Sequence, residues 1–171
     1  MASTGFTFPT VGQDGGCGGS VSNPQNITAE DGVDADFSGS SSYCILGKNF
    51  NFSIPDTAEI LGISFRSIHI FDAGSATISA SINFDGGVTF TAAKTVYAGN
   101  NAGRTDVTVG SGSDLWGREW KPSEFSNANF VAKLSYGGTN TGWHVDMIQV
   151  AVIYSPAQKV QGKRLGSALN T

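Results

Sequence analysis

DLWGREWKPSEFSNANFVAKLSYGGTNTGWHVDMIQVAVIY, residues 114–154, decides the fold class. A polar loop carrying Trp116 and Trp120 leads into an alternating strand at 130–136. A short Gly/Thr/Asn turn follows. A long strand then runs from 143 to Tyr154, and Pro156 ends it. Two closing strands joined by a tight turn are how an antiparallel β-sandwich finishes. Upstream, 76–84 is the cleanest strand. Ala76, Ile78, Ala80, Ile82 and Phe84 face one way; Thr77, Ser79, Ser81 and Asn83 face the other. Asp85-Gly86-Gly87 is a hairpin turn, because Gly supplies the positive φ such turns need. Residues 88–96 read as the returning partner.

Three further strands complete the body. Segment 43–54 has its apolar residues mostly at even positions. In 60–71 the apolar set is odd at Leu61, Ile63 and Phe65 but even at Ile68 and Ile70. One extra residue near Arg66–Ser67, a β-bulge, reconciles the two phases. Residues 105–109 form a shorter strand, and Ile27 with the residues after it lead in to the first. The only helical signal is one turn near Pro122–Phe125. The chain reads as all-β, an antiparallel sandwich or barrel of about eight strands.

The 171 residues suffice for one domain with a real core. Charged residues make up only 14% and Gly contributes 23, a composition suited to strands and tight turns. The net charge of −4 comes without a basic stripe, which argues against a nucleic-acid groove. No run reaches the roughly 18 apolar residues of a membrane helix. No secretory signal opens the chain, so the expectation is a protein made in a cytosol. Residues 1–25 are Gly-rich without an apolar face and read as an extended N-terminal arm. The sandwich spans 26–156, and 157–171 read as a C-terminal arm. Cys44 shares parity with Leu46 and Phe50, so the expected state is a free thiol in the core. A Cys17–Cys44 disulfide is the other state open to the pair.

Motifs for catalysis are absent. There is no Gly-x-Ser-x-Gly elbow, no phosphate loop, and no metal-ligand spacing around His69 and His144. Asp72, Asp85 and Asp146 fall near strand ends, without the pattern of a calcium loop. No catalytic residue, cofactor or metal is assigned. The one binding feature is aromatic. Trp116 and Trp120 share a loop with Asp114 and Arg118, and Trp143 opens the closing strand. These five residues are candidates either for a plug or protein interface, or for stacking on a glycan, and Glu119 is the third charged residue of the loop.

The stretches NPQNITAEDG (23–32), FNFSIPDTAEILGISF (50–65), DLWGREWKPSEFSNANFVAKLSYGG (114–138) and HVDMIQVAVIY (144–154) together resemble a domain of tailed-bacteriophage particle proteins. The resemblance covers about residues 23–155. It implies a jelly-roll sandwich and a non-enzymatic structural role in the virion, as an exterior decoration or cement protein or a neck or tail accessory. Such a protein is assembled in the host bacterial cytoplasm. Its implied partners are the major capsid, neck or tail proteins, in a homo-oligomer or symmetric array. The alternative is a glycan-binding, lectin-like module for host adsorption. No nucleic acid or membrane partner is implied.

The register yields a direct test. Even-numbered apolar side chains of 76–84 and 148–154 face inward, so Ile82→Asp buries an unpaired carboxylate and unfolds the domain. A soluble Ile82→Asp variant with wild-type circular dichroism would contradict the register.

Overall fold

The computed structural model describes residues 1–38, 42–72, 75–99, 103–138 and 142–156. The expected C-terminal arm, 157–171, lies outside them. Eleven strands occur among the described residues: β1 (Ala2–Ser3), β2 (Val11–Asp14), β3 (Ser20–Ser22), β4 (Ala35–Ser38), β5 (Ser42–Lys48), β6 (Glu59–Phe71), β7 (Ala76–Asn83), β8 (Lys94–Gly99), β9 (Gly103–Ser111), β10 (Val131–Gly138) and β11 (Trp143–Ser155). They form two antiparallel sheets. One has the order β3-β4-β11-β6-β9 with β1 beside β11; the other is β2-β5-β10-β7-β8. Without β1–β3, the orders β4-β11-β6-β9 and β5-β10-β7-β8 are those of an eight-stranded jelly roll. Pro122–Phe125 forms a single 3-10 turn, as its sequence predicts.

The expected inward faces hold for β7 and β11. Ala76, Ile78, Ala80 and Ile82 meet Ile148, Val150 and Val152 in one buried core. Ile82 and Ala132 are opposite one another and fully buried. Each buried Ile or Val contributes roughly 1.5–3 kcal/mol by leaving water, and each Ala less.

Three strands differ from the sequence reading, each for a local reason. The strand expected over 43–54 ends at Lys48. Asn49 and Asn51 then adopt left-handed backbone, φ 56° and 54°, which Asn tolerates better than most residues. Parity flips there, so Tyr43 and Ile45 join Phe50 in the core while Cys44 stays out of it. In β6 the inward set runs unbroken through Ile63, Phe65, Ser67, His69 and Phe71, and no bulge occurs at 66–67. The extra residues sit instead at Leu61 and, on the partner strand, at Asp146. Ile68 and Ile70 face outward, opposite Met147 and His144. The partner expected at 88–96 begins late, at Lys94. Thr91 Oγ1 accepts the Ile82 N–H at 3.2 Å and interrupts the ladder.

The N-terminal residues are not a free arm. β1 pairs with β11, Thr7 bridges Val150, β2 pairs with β5 and β3 with β4. Glycine-rich chain without an apolar face is held here by backbone ladders, which need no side chain. Cys44 is not a free thiol either: it is disulfide-bonded to Cys17.

His69 is fully buried against Phe71 and Tyr97, with ring centroids 5.3 and 5.6 Å away. Neither ring nitrogen has a hydrogen-bond partner among the described residues. Burial pushes its pKa from 6.5 to about 4, with Asp106 opposing. A depressed histidine pKa means that the unfolded chain takes up the proton first. Its contribution to stability is therefore complete above pH 6.5 and is lost as pH falls toward 4. The loss amounts to about 3 kcal/mol. Chemical denaturation of wild type and His69→Leu between pH 7 and 4 should show a steeper loss for wild type. Parallel slopes would contradict the buried neutral ring.

Candidate functional site at the tryptophan loop

A close approach near the end of β9 sets up the loop between β9 and β10. Gly110 has φ 78°, and a Cβ there would sit 2.3 Å from the Ile63 carbonyl oxygen and 2.9 Å from the Trp116 indole nitrogen. That space lets Trp116 fold back on β6. Trp116 is 3% exposed, and its Nε1–H donates to the Ile63 carbonyl at 2.9 Å. Its backbone is left-handed, φ 54°, a conformation that costs a non-glycine residue about 1–2 kcal/mol. The Asp114 carboxylate holds it there by accepting the Trp116 N–H at 2.9 Å. Asp114 also pairs with Lys94 at 2.9 Å. Burial raises the Asp114 pKa, but the Lys94 ammonium and the Trp116 N–H outweigh it and hold the carboxyl below its usual range.

Trp120 is 7% exposed and donates its Nε1–H to the Leu115 carbonyl at 2.8 Å. Phe84, Phe125 and Phe130 surround it at 5.3–6.2 Å. The Arg118 guanidinium lies 3.7 Å over Phe84 and 4.5 Å over Trp120, a cation–π pair. Arg118 also pairs with Glu124 at 2.8 Å, and Glu124 accepts the Lys121 N–H at 2.7 Å. This ties the loop to the 3-10 turn.

The five sequence candidates therefore divide. Asp114, Trp116, Arg118 and Trp120 form one cluster. Trp143 lies at the far end of β11, stacked on Tyr136 at 4.9 Å and beside Phe37 at 3.8 Å, and is 1% exposed. Ile63, whose carbonyl holds Trp116, pairs with Val152, which lies roughly 30 Å along β11 from Trp143. Neither Trp116 nor Trp120 presents an open ring face. Both close the sandwich end.

Two clefts flank this plug. One, of about 290 Å³, is lined by Glu59, Ile60, Leu115, Glu119 and Trp120. The other, of about 190 Å³, is lined by Phe52, Ile54, Asp56 and Phe125 with the 3-10 turn. The Trp120–Phe125 ring pair stands between them. Exposed acids elsewhere are engaged: Glu30 and Asp106 hold Arg66, and Asp85 accepts the N–H groups of Val88 and Thr89. The side chains of Asp56, Glu59 and Glu119 are exposed, and their carboxylates make no hydrogen bond or ion pair among the described residues. Sequence reasoning placed Glu119 in the tryptophan loop but passed over Asp56 and Glu59. Glu59 stands before an ordinary apolar run, and nothing local sets it apart.

The remaining polar residues lie elsewhere. His144 Nδ1 is 2.7 Å from Asp36 and its Nε2 is 3.6 Å from Asp72. Burial lowers the His144 pKa, but Asp36 and Asp72 together outweigh this and raise it. Asp146 is buried, accepts the Gly32 N–H at 2.9 Å and pairs with Arg104. No group of three or more His, Cys, Asp or Glu gathers as a metal site among the described residues.

No family model matches the chain, and no curated protein matches it. Solved structures do. TmCBM61 in complex with β-1,4-galactotriose is 12% identical, covering 82% of this chain and 86% of that one, with a TM-score of 0.40. The CBM22-1 xylan-binding domain of Paenibacillus barcinonensis Xyn10C is 10% identical over 91% and 95%, with a TM-score of 0.46. Chitosan-binding module 1 of a chitosanase/glucanase from Paenibacillus sp. IK-5 is 14% identical over 88% and 98%, with a TM-score of 0.42. At these identities and TM-scores the likenesses assign neither a family nor a ligand to this chain.

A plug gains its energy by exclusion from water, so Trp116→Ala should cost roughly 3–5 kcal/mol. Thermal melting reads this directly. An unchanged melting temperature would contradict the plug.

Proposed function

We propose that the chain is a non-catalytic glycan-binding module and that the cleft beside Trp120 is its saccharide site. The observation that carries this reading is the pair Glu59 and Glu119, exposed and unpaired at the rim of a cleft floored by Ile60, Leu115 and Trp120. Ionised carboxylates only accept hydrogen bonds, so they suit a ligand rich in hydroxyl or ammonium donors. With the indole faces covered, the apolar floor offers a pyranose ring van der Waals contact rather than stacking on an open tryptophan face. The same two charges repel acidic polysaccharides, which narrows the ligand to neutral or amino sugars. The cleft is small for a ligand site and holds one or two rings. Useful avidity would come from several copies in a symmetric array.

This reading fits adsorption to a host surface polysaccharide. The rival reading, a structural component of a tailed-phage virion docked through terminal arms, loses one of its two tethers. Residues 1–25 are taken up by the chain's own sheets.

Pull-downs on neutral, amino and acidic polysaccharides test the proposal. Wild type should bind a neutral or amino polysaccharide. Glu59→Gln/Glu119→Gln should bind it at least about tenfold more weakly with unchanged melting, since a charged hydrogen bond is worth roughly 1.5–3 kcal/mol. Failure of wild type to bind any of them, together with incorporation into particles, would overturn the glycan reading in favour of the structural one.

A further inference from the structure

We infer that residues 1–22 form a clasp that adds a short outermost strand to one edge of each sheet, and that the Cys17–Cys44 disulfide is its redox-sensitive lock. The segment crosses from one sheet to the other. Its first residues pair with β11, β2 covers the edge of β5, and β3 covers the edge of β4. Without it, β4 and β5 would present unpaired backbone groups, the template on which foreign strands add.

The clasp has little apolar anchorage. Val21 and Pro9 are its only buried side chains. Its side-chain ties to the rest of the fold are few: Thr4 Oγ1 accepts the Val152 N–H at 3.0 Å and Thr10 Oγ1 donates to the Asn49 carbonyl at 2.9 Å. Asp14 accepts the N–H groups of Gly16 and Val21 at 2.8 and 3.2 Å, and Gln25 accepts the Gly12 N–H at 2.7 Å. A segment held mainly by edge ladders opens locally at low cost. The disulfide changes that. It joins residues 27 apart in sequence, fixing the β2–β3 turn to the middle of β5. The seat is tight: a Cβ on Gly15 would lie 2.5 Å from Cys44 Sγ, and the Gly15 N–H donates to the Cys44 carbonyl at 2.9 Å.

The two cysteines differ in access. Cys17 is exposed, whereas Cys44 is 1% exposed beneath the closed segment. Locking therefore starts at Cys17. Its thiolate attacks a disulfide carrier, forms a mixed disulfide and releases one carrier thiolate. The Cys44 thiolate then displaces the second carrier thiolate as the clasp seats. The chain loses two electrons and two protons, and the carrier is reduced to its dithiol. In a reducing cytosol the clasp stays unlocked; in an oxidising medium it closes.

Hydrogen exchange on the full chain tests this, with oxidised protein, protein reduced by a phosphine, and Cys17→Ser/Cys44→Ser compared. Amides of 11–14 and 20–22 should exchange at least about tenfold faster in the reduced and serine forms, while β7 and β10 keep their protection. Equal protection of the clasp in all three forms would overturn the lock. Loss of protection in β7 and β10 together with the clasp would overturn the local clasp in favour of a global staple. Two titratable thiols in the air-oxidised protein would overturn the pairing itself.

Discussion

Everything in this fold depends on β11 being bonded along both edges. One edge carries β6 over nearly its whole length. The other carries β4, Thr28, Thr7 and β1 in turn. A strand in the middle of a sheet must satisfy every backbone group, since water does not reach it. β11 is too long for any one neighbour on its second edge, so the N-terminal residues fill what β4 leaves open. Its inner face, Val145, Ile148, Val150 and Val152, is then dry on the core side. The bulge at Asp146 shifts the register without breaking this. The displaced carboxylate is buried with Arg104 and the Gly32 N–H, the kind of pairing a buried charge requires.

How much of this was legible follows from what each strand shows on its two faces. β7 alternates small polar and apolar side chains, so its register was plain from residues 76–84. β6 was misread because Ile68 and Ile70 on the outer face continue the apolar run, and period-two reading fails when both faces are apolar. β5 was overextended because Asn49 and Asn51 reverse parity through backbone conformation, which hydropathy does not record. The N-terminal clasp was missed for a related reason. Ladder hydrogen bonds are made by every residue, so a glycine-rich strand carries no compositional mark. Cysteine spacing could not choose between free and bonded thiols.

At the candidate site, the grouping of Asp114, Trp116, Arg118 and Trp120 was legible because they share one loop. Trp143 stands apart from that cluster because β11 carries it toward the opposite end. The clefts themselves were not legible. They exist where the loop meets the start of β6 and residues 52–56, segments far apart in sequence. Burial of the two indoles also serves the clefts. Trp120 is fixed by its Leu115 bond and its phenylalanine neighbours, so the floor is rigid before any ligand arrives. A preorganised floor spares the ordering cost that weakens flexible sites.

The central proposal is that saccharide binds in the cleft at the Trp120 end of the sandwich. Nitrogen-detected NMR of the oxidised chain, titrated with neutral and amino-sugar oligosaccharides, tests it most directly. The chain has three indole N–H groups, one per tryptophan, which report on both ends at once. Movement of the Trp120 indole and the amides of Glu59, Leu115 and Glu119, with a stationary Trp143 indole, is the predicted result. Movement centred on Trp143, or no movement at millimolar sugar, would contradict the account.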